Sequence, residues 1–91
     1  MKENNVASLG LSVIPNPVSD VARINFSLVK AAMVKAFIVD VLGNELEVLT
    51  SKNMNSGSQQ LTWNSSGYAN GIYFCKVTVD GNTATQKIVK Y

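Results

Sequence analysis

Few side chains in this 91-residue sequence could do covalent or metal chemistry: one cysteine, Cys75, no histidine, and six carboxylates. A cysteine attacks as the thiolate and needs a base or a positive neighbourhood to reach that form. Lys76 is adjacent, but successive residues of a strand point to opposite faces. Cys75 therefore reads as a small buried hydrophobe. Alone it cannot close an intramolecular disulfide, and with no partner Cys or His it makes no metal-ligand spacing. Asp20, Asp40, Glu45, Glu47 and Asp80 fall mostly at turns, and none is paired at the spacing of an acid–base couple. Asp40 and Asp80 suit turns, where a carboxylate bonds local backbone donors. There is neither a triad histidine nor a glycine-rich phosphate loop. The expectation is a domain without catalysis, cofactor or metal. A sugar platform built from Trp63, Tyr68 or Tyr73 remains open, but Trp63 and Tyr73 lie on apolar strand faces, which favours the core.

Composition narrows the classes further. At 46% hydrophobic and 15% charged residues the chain is outside the disordered range. The length suits one small domain, in which nearly every large apolar side chain must join the core. Eight basic residues against six acidic ones leave a net charge of +2. The basic residues are scattered, so no nucleic-acid footprint forms. No apolar run approaches a membrane span. Residues 1–10 are polar, aperiodic and without the apolar stretch of a signal peptide, which reads as a linker tail. An export signal is expected elsewhere in a longer parent chain.

The elements that position these side chains are strands recurring every ten to twelve residues. Residues 11–14 form a short strand, stopped by Pro15-Asn16-Pro17, whose prolines remove two backbone donors. Residues 21–28 alternate with Ala22, Ile24, Phe26 and Leu28 on one face. Residues 29–33 read as a connection with room for a helical turn. Residues 34–41 carry apolar side chains on both faces, the mark of a central strand or a covered outer surface. Gly43-Asn44 suits a tight turn, and residues 45–50 follow with Leu46 and Val48 expected inward. A polar loop is expected over 51–57, a strand over 58–63 with Leu61 and Trp63 on one face, and a turn-rich corner over 64–71. Residues 72–79 place Tyr73, Cys75, Val77 and Val79 together. Asp80-Gly81 is a two-residue hairpin signal, because both positions need positive φ. Residues 83–91 return as its partner. The expected fold is all-β: an Ig-like antiparallel sandwich of about seven strands over residues 11–91.

Four segments, in order, resemble the type A C-terminal sorting domain of cargo proteins of the Bacteroidetes type IX secretion system. Val13-Ile14-Pro15-Asn16-Pro17-Val18-Ser19-Asp20 is similar to that family's opening. Residues 38–45, with Asp40 and Gly43, look like its central strand and turn. Ala69-Asn70-Gly71-Ile72-Tyr73 resembles its Gly-Ile-Tyr strand, and Gln86-Lys87-Ile88-Val89-Lys90 its basic and aliphatic ending. Trp63 and the loop after it lean instead toward the related Ig-like domain of flagellar hook-capping proteins, and Cys75 stands where an aliphatic residue is more usual.

The resemblance implies a sorting domain that follows an N-terminal passenger. It passes through the periplasm, is recognised by the outer-membrane translocon, and is removed by a sortase-like peptidase, leaving cargo at the cell surface or secreted. The residues it singles out are Pro15, Asn16, Pro17, Asp40, Gly43, Gly71, Ile72, Tyr73, Lys87, Ile88, Val89 and Lys90. Each also has a structural explanation: strand termination at the prolines, turns at the glycines, core packing at Tyr73. Lys87 and Lys90 are expected on an accessible final strand, where lysine also discourages edge aggregation. A monomer is expected. The competing readings are a passive Ig-like spacer or adhesion module and a carbohydrate-binding module.

Overall fold

A computed structural model describes residues 10–91, and most of the tail predicted for residues 1–10 lies outside them. The alternation of Val21–Leu28 becomes β2, with Ala22, Ile24, Phe26 and Leu28 all buried. Before it comes β1 (Ser12–Ile14), after it β3 (Ala32–Asp40), β4 (Glu45–Met54), β5 (Gly57–Asn64), β6 (Gly71–Val79) and β7 (Asn82–Lys90). Among the described residues there is no helix, so none is long and apolar enough to cross a membrane. Two antiparallel sheets pack face to face, in the orders β1-β2-β5 and β4-β3-β6-β7. Between them lie Ile24, Phe26, Ile38, Trp63, Cys75, Val77 and Ile88. Each fully buried Ile or Val contributes about 1.5–3 kcal/mol relative to exposure.

The β6–β7 hairpin closes as expected, with Val79 opposite Asn82 and both Asp80 (φ 49°) and Gly81 (φ 85°) left-handed. Other expectations need correction. Residues 29–30 bend without a helical turn and β3 starts at Ala32, while Val41 is an exposed turn residue. The loop predicted over 51–57 is mostly strand, because β4 runs on to Met54 beside Ala32–Lys35. Leu46 and Val48 face outward, not inward. The register slips between Ala36/Phe37 and Ile38/Val39, so Leu49 and Leu46 are extra residues on β4. Each such bulge resets the alternation, and Leu49 packs on the core instead. Leu61, expected on one face with Trp63, shares that face but is only partly buried.

The outer faces differ. On β2 and β5 the outward residues are Arg23, Asn25, Ser27, Ser58, Gln60 and Thr62, with Val21 the apolar exception. On β3, β6 and β7 they include Phe37, Val39, Ile72, Phe74 and Val89, interspersed with Lys35, Lys76 and Lys87.

Candidate functional site

Pro15 and Pro17 have no N–H to give a ladder, and the peptide bonds before both are cis. The side chain between them takes over that role. Asn16 Nδ2 donates to the Lys87 carbonyl at 2.7 Å, and the Val89 N–H donates to Asn16 Oδ1 at 3.0 Å. Val18 continues the contact: its N–H donates to the Val89 carbonyl (2.8 Å), and its carbonyl accepts from the Tyr91 N–H (2.9 Å). One amide side chain and one buried valine thus close the last part of an otherwise free strand edge, with Val18 bridged in parallel to Lys90. Open edges invite pairing with other chains. This stretch is sealed.

Across from that seal, the two lysines of β7 part company. Lys87 points out and is exposed. Lys90, expected to be accessible, is only 8% exposed, and its Nζ donates to the Ser19 carbonyl at 3.3 Å. Its position on the inner side of β7, in phase with Ile88, buries the stem and leaves the ammonium to find a carbonyl at the rim. Ile88 is fully buried and Val89 half-buried on the outer face.

The Asp40 turn is held by its own side chain. One carboxylate oxygen accepts from the Leu42 and Asn44 N–H groups, both at 2.9 Å, and the other from Asn44 Nδ2 at 3.1 Å. The bonds from the Asn44 backbone and side chain hold the Asp40 carboxyl below its usual range. Gly43, at φ 87°, supplies the left-handed residue the turn requires.

Tyr73 is buried, and its hydroxyl donates to the Ala69 carbonyl four residues back, pinning the corner that leads into β6 as a tyrosine corner does. It packs against Trp63 and Tyr68 with ring centroids 5.5 and 6.0 Å away. Tyr68 donates to Glu47 at 2.9 Å; burial, then Glu47, pushes its hydroxyl up. Trp63 is fully buried, and among the described residues its Nε1 has no partner. It cannot offer a face to a sugar. Burial pushes the Cys75 thiol up to about 12, so it stays protonated and inert at neutral pH. Among the described residues no three His, Cys, Asp or Glu side chains gather as a metal site.

Register joins the four segments. Asp40 lies opposite Tyr73, Tyr73 opposite Ile88, Gly71 opposite Lys90, and Asn16 closes the far side of β7. Stretches distant in sequence form one strip across the end of the four-stranded sheet. Of the singled-out residues, Ile72, Lys87 and Val89 face out from it, beside Phe74 and Val39. The sequence reading did not single out those last two. The signal for Val39 was the doubly apolar pattern of β3, and for Phe74 the unbroken apolar run over residues 72–75 of β6.

A family model described as the secretion system C-terminal sorting domain matches residues 12–91. Among solved structures, the chain is similar to the dimeric latent PorU from Porphyromonas gingivalis, at 18% identity and a TM-score of 0.58, covering 88% of this chain and 9% of that one. The chain thus spans about a tenth of PorU. It is also similar to the CARDB domain of the PF1109 protein from Pyrococcus furiosus, solved in complex with di-metal ions. That likeness has 16% identity and a TM-score of 0.54, and covers 89% of this chain and 84% of that one. At these identities both likenesses speak for the fold alone. No curated protein matches the sequence.

Proposed function

The chain belongs to the family of secretion system C-terminal sorting domains, and from that premise we propose how it is read. It is a type IX sorting signal that directs its passenger across the outer membrane, to the cell surface or beyond. The domain crosses the periplasm folded, as a monomer. There the outer-membrane translocon recognises it and a sortase-like peptidase related to PorU removes it from the passenger. The observation that carries this reading is convergence: the Asn16, Asp40, Tyr73 and Lys87 segments, which the family resemblance picked out separately, meet in one strip. Most of that strip is architecture. Asn16, Asp40, Gly43, Tyr73, Ile88 and Lys90 hold it together, while Ile72, Lys87 and Val89 are left to be touched.

The test places residues 11–91 behind a signal peptide and a fluorescent reporter in a type IX-competent host. Reporter outside the outer membrane is the expected result. Reporter retained in the periplasm would replace the sorting reading with that of a passive spacer.

A further inference from the structure

The outer face of the four-stranded sheet has a centre of its own. Val39 is only 3% exposed, yet it stands outside the cluster between the sheets. Its outer-face neighbours cover it: Phe74 lies directly opposite, and Phe37 two residues back on the same strand. Ile72 and Val48 extend this patch and are 41% and 51% exposed. Apolar patches rimmed by polar groups mark interaction surfaces. Here the rim is mainly cationic. Lys35 faces Ser51 and Thr78 across the ladders, Lys76 faces Phe37 and Thr85, and Lys87 faces Phe74. One acid shares the face: exposed Glu45 on β4 lies opposite Val39, so three lysines stand there against one carboxylate. Lys35 Nζ sits 5.4 Å from the Phe37 ring centroid, sharing the apolar surface.

We propose that this face docks an acidic protein surface, its apolar centre covering Val39 and Phe74 and its carboxylates meeting Lys35, Lys76 and Lys87. The partner's role in export rests on the sorting reading; the docking face does not. A bilayer is a poorer occupant, because Phe37, Phe74 and Val89 are half-buried and lie flush with their neighbours instead of standing clear to enter lipid. A second copy would bring three lysines and only one carboxylate, Glu45, against the same set. Strand addition along the last part of β7 is closed by Asn16 and Val18. Gly10, the first described residue, lies beside Asn25, Ser27 and Ser58 of the other sheet.

Two single-cysteine reporters decide the matter in the reporter fusion, because buried Cys75 is silent to maleimide. Thr85→Cys lies on the proposed face and Thr62→Cys on the polar outer face of the other sheet. In the purified fusion both should label readily. In the secreting host, labelling of Thr85→Cys should slow about tenfold or more while Thr62→Cys is unchanged. Adding Lys35→Glu, Lys76→Glu and Lys87→Glu should restore labelling and lower export without moving the melting temperature; the three arginine replacements should preserve both. Equal labelling of the two reporters in cells overturns the proposal. So does protection that survives charge reversal. Flotation with phosphatidylglycerol vesicles would transfer the face to a membrane, and protection accompanied by dimer sedimentation of the pure protein would transfer it to a second copy; either overturns the proposal. If the intact fusion never leaves the periplasm the sorting reading fails, and labelling at Thr85→Cys still decides the docking face.

Discussion

On β2 and β5 the side chains turned to solvent are polar but for Val21: Arg23, Asn25, Ser27, Ser58, Gln60 and Thr62; on β3, β6 and β7 they include Phe37, Val39, Ile72, Phe74 and Val89 among three lysines. The inner faces of the two sheets obey one constraint, since both must fill the same core at crystal-like density. The outer faces obey none in common. A polar outer face is what a strand with one wet side requires. An apolar one costs solubility and adds little to the fold, so its presence points to something outside the domain. The three-stranded sheet is scaffold on both sides; the four-stranded sheet is scaffold on one.

The comparison breaks most easily at its shared part. Trp63→Ala should cost about 3–5 kcal/mol in denaturant titration, and amide protection of both sheets should fall together. A loss under about 1 kcal/mol, ordinary for a surface site, would mean that the sheets do not share one core. Next comes the contrast between the outer faces themselves. Phe74→Thr should cost about 1–2 kcal/mol, because half its ring is already out of water, and should raise solubility. Asn25→Ser should stay within about 0.5 kcal/mol. Equal costs would make the outer faces energetically alike and remove the distinction.

How far the sequence could carry this comparison depends on where the alternation held. It held through β2, whose face assignments are all correct, and through the Asp80-Gly81 hairpin, where chemistry alone fixes the turn. It failed on β4, because the extra residue Leu49 reversed the phase and turned Val48 outward, and the second bulge left Leu46 outside the ladder. Nothing local announces a bulge without a glycine. Polar residues 51–54 looked like loop because an edge strand can be hydrophilic and still keep its ladder. At the site, the family resemblance found the segments but could not sort contact from construction. Asn16 bonds to residues more than seventy positions away, a relation that no window of sequence contains. Lys90 read as exposed because charge usually is; its aliphatic stem decided otherwise.

The smaller effects sharpen the comparison within one strand and one turn. Lys87→Ala, on the outer face, should change stability by less than about 0.5 kcal/mol. Lys90→Ala, which loses buried stem and the bond to Ser19, should cost about 1 kcal/mol. Thermal melts of the two variants check this directly, and identical values would put Lys90 in solvent. Smallest of all is the pH dependence of Asp40, whose carboxyl the bonds from Asn44 hold below its ordinary value. A depressed folded value stabilises above the unfolded one, and that contribution is lost as pH falls through the folded value. Asp40→Asn should therefore flatten the acid limb of a plot of Tm against pH, because the contribution it removes is one present at neutral pH and lost in acid.

The bond between Asn16 and β7 also sets an order in time. Asn16 leaves the ribosome 71 residues before Lys87 and 73 before Val89, whose backbone groups it needs. Until they emerge it is a polar side chain between two prolines with only water to bind. A chain broken off before Lys87 keeps the opening motif letter for letter and still cannot assemble it. The front of the domain thereby certifies its back: the assembled strip exists only in a chain whose synthesis reached the final strand.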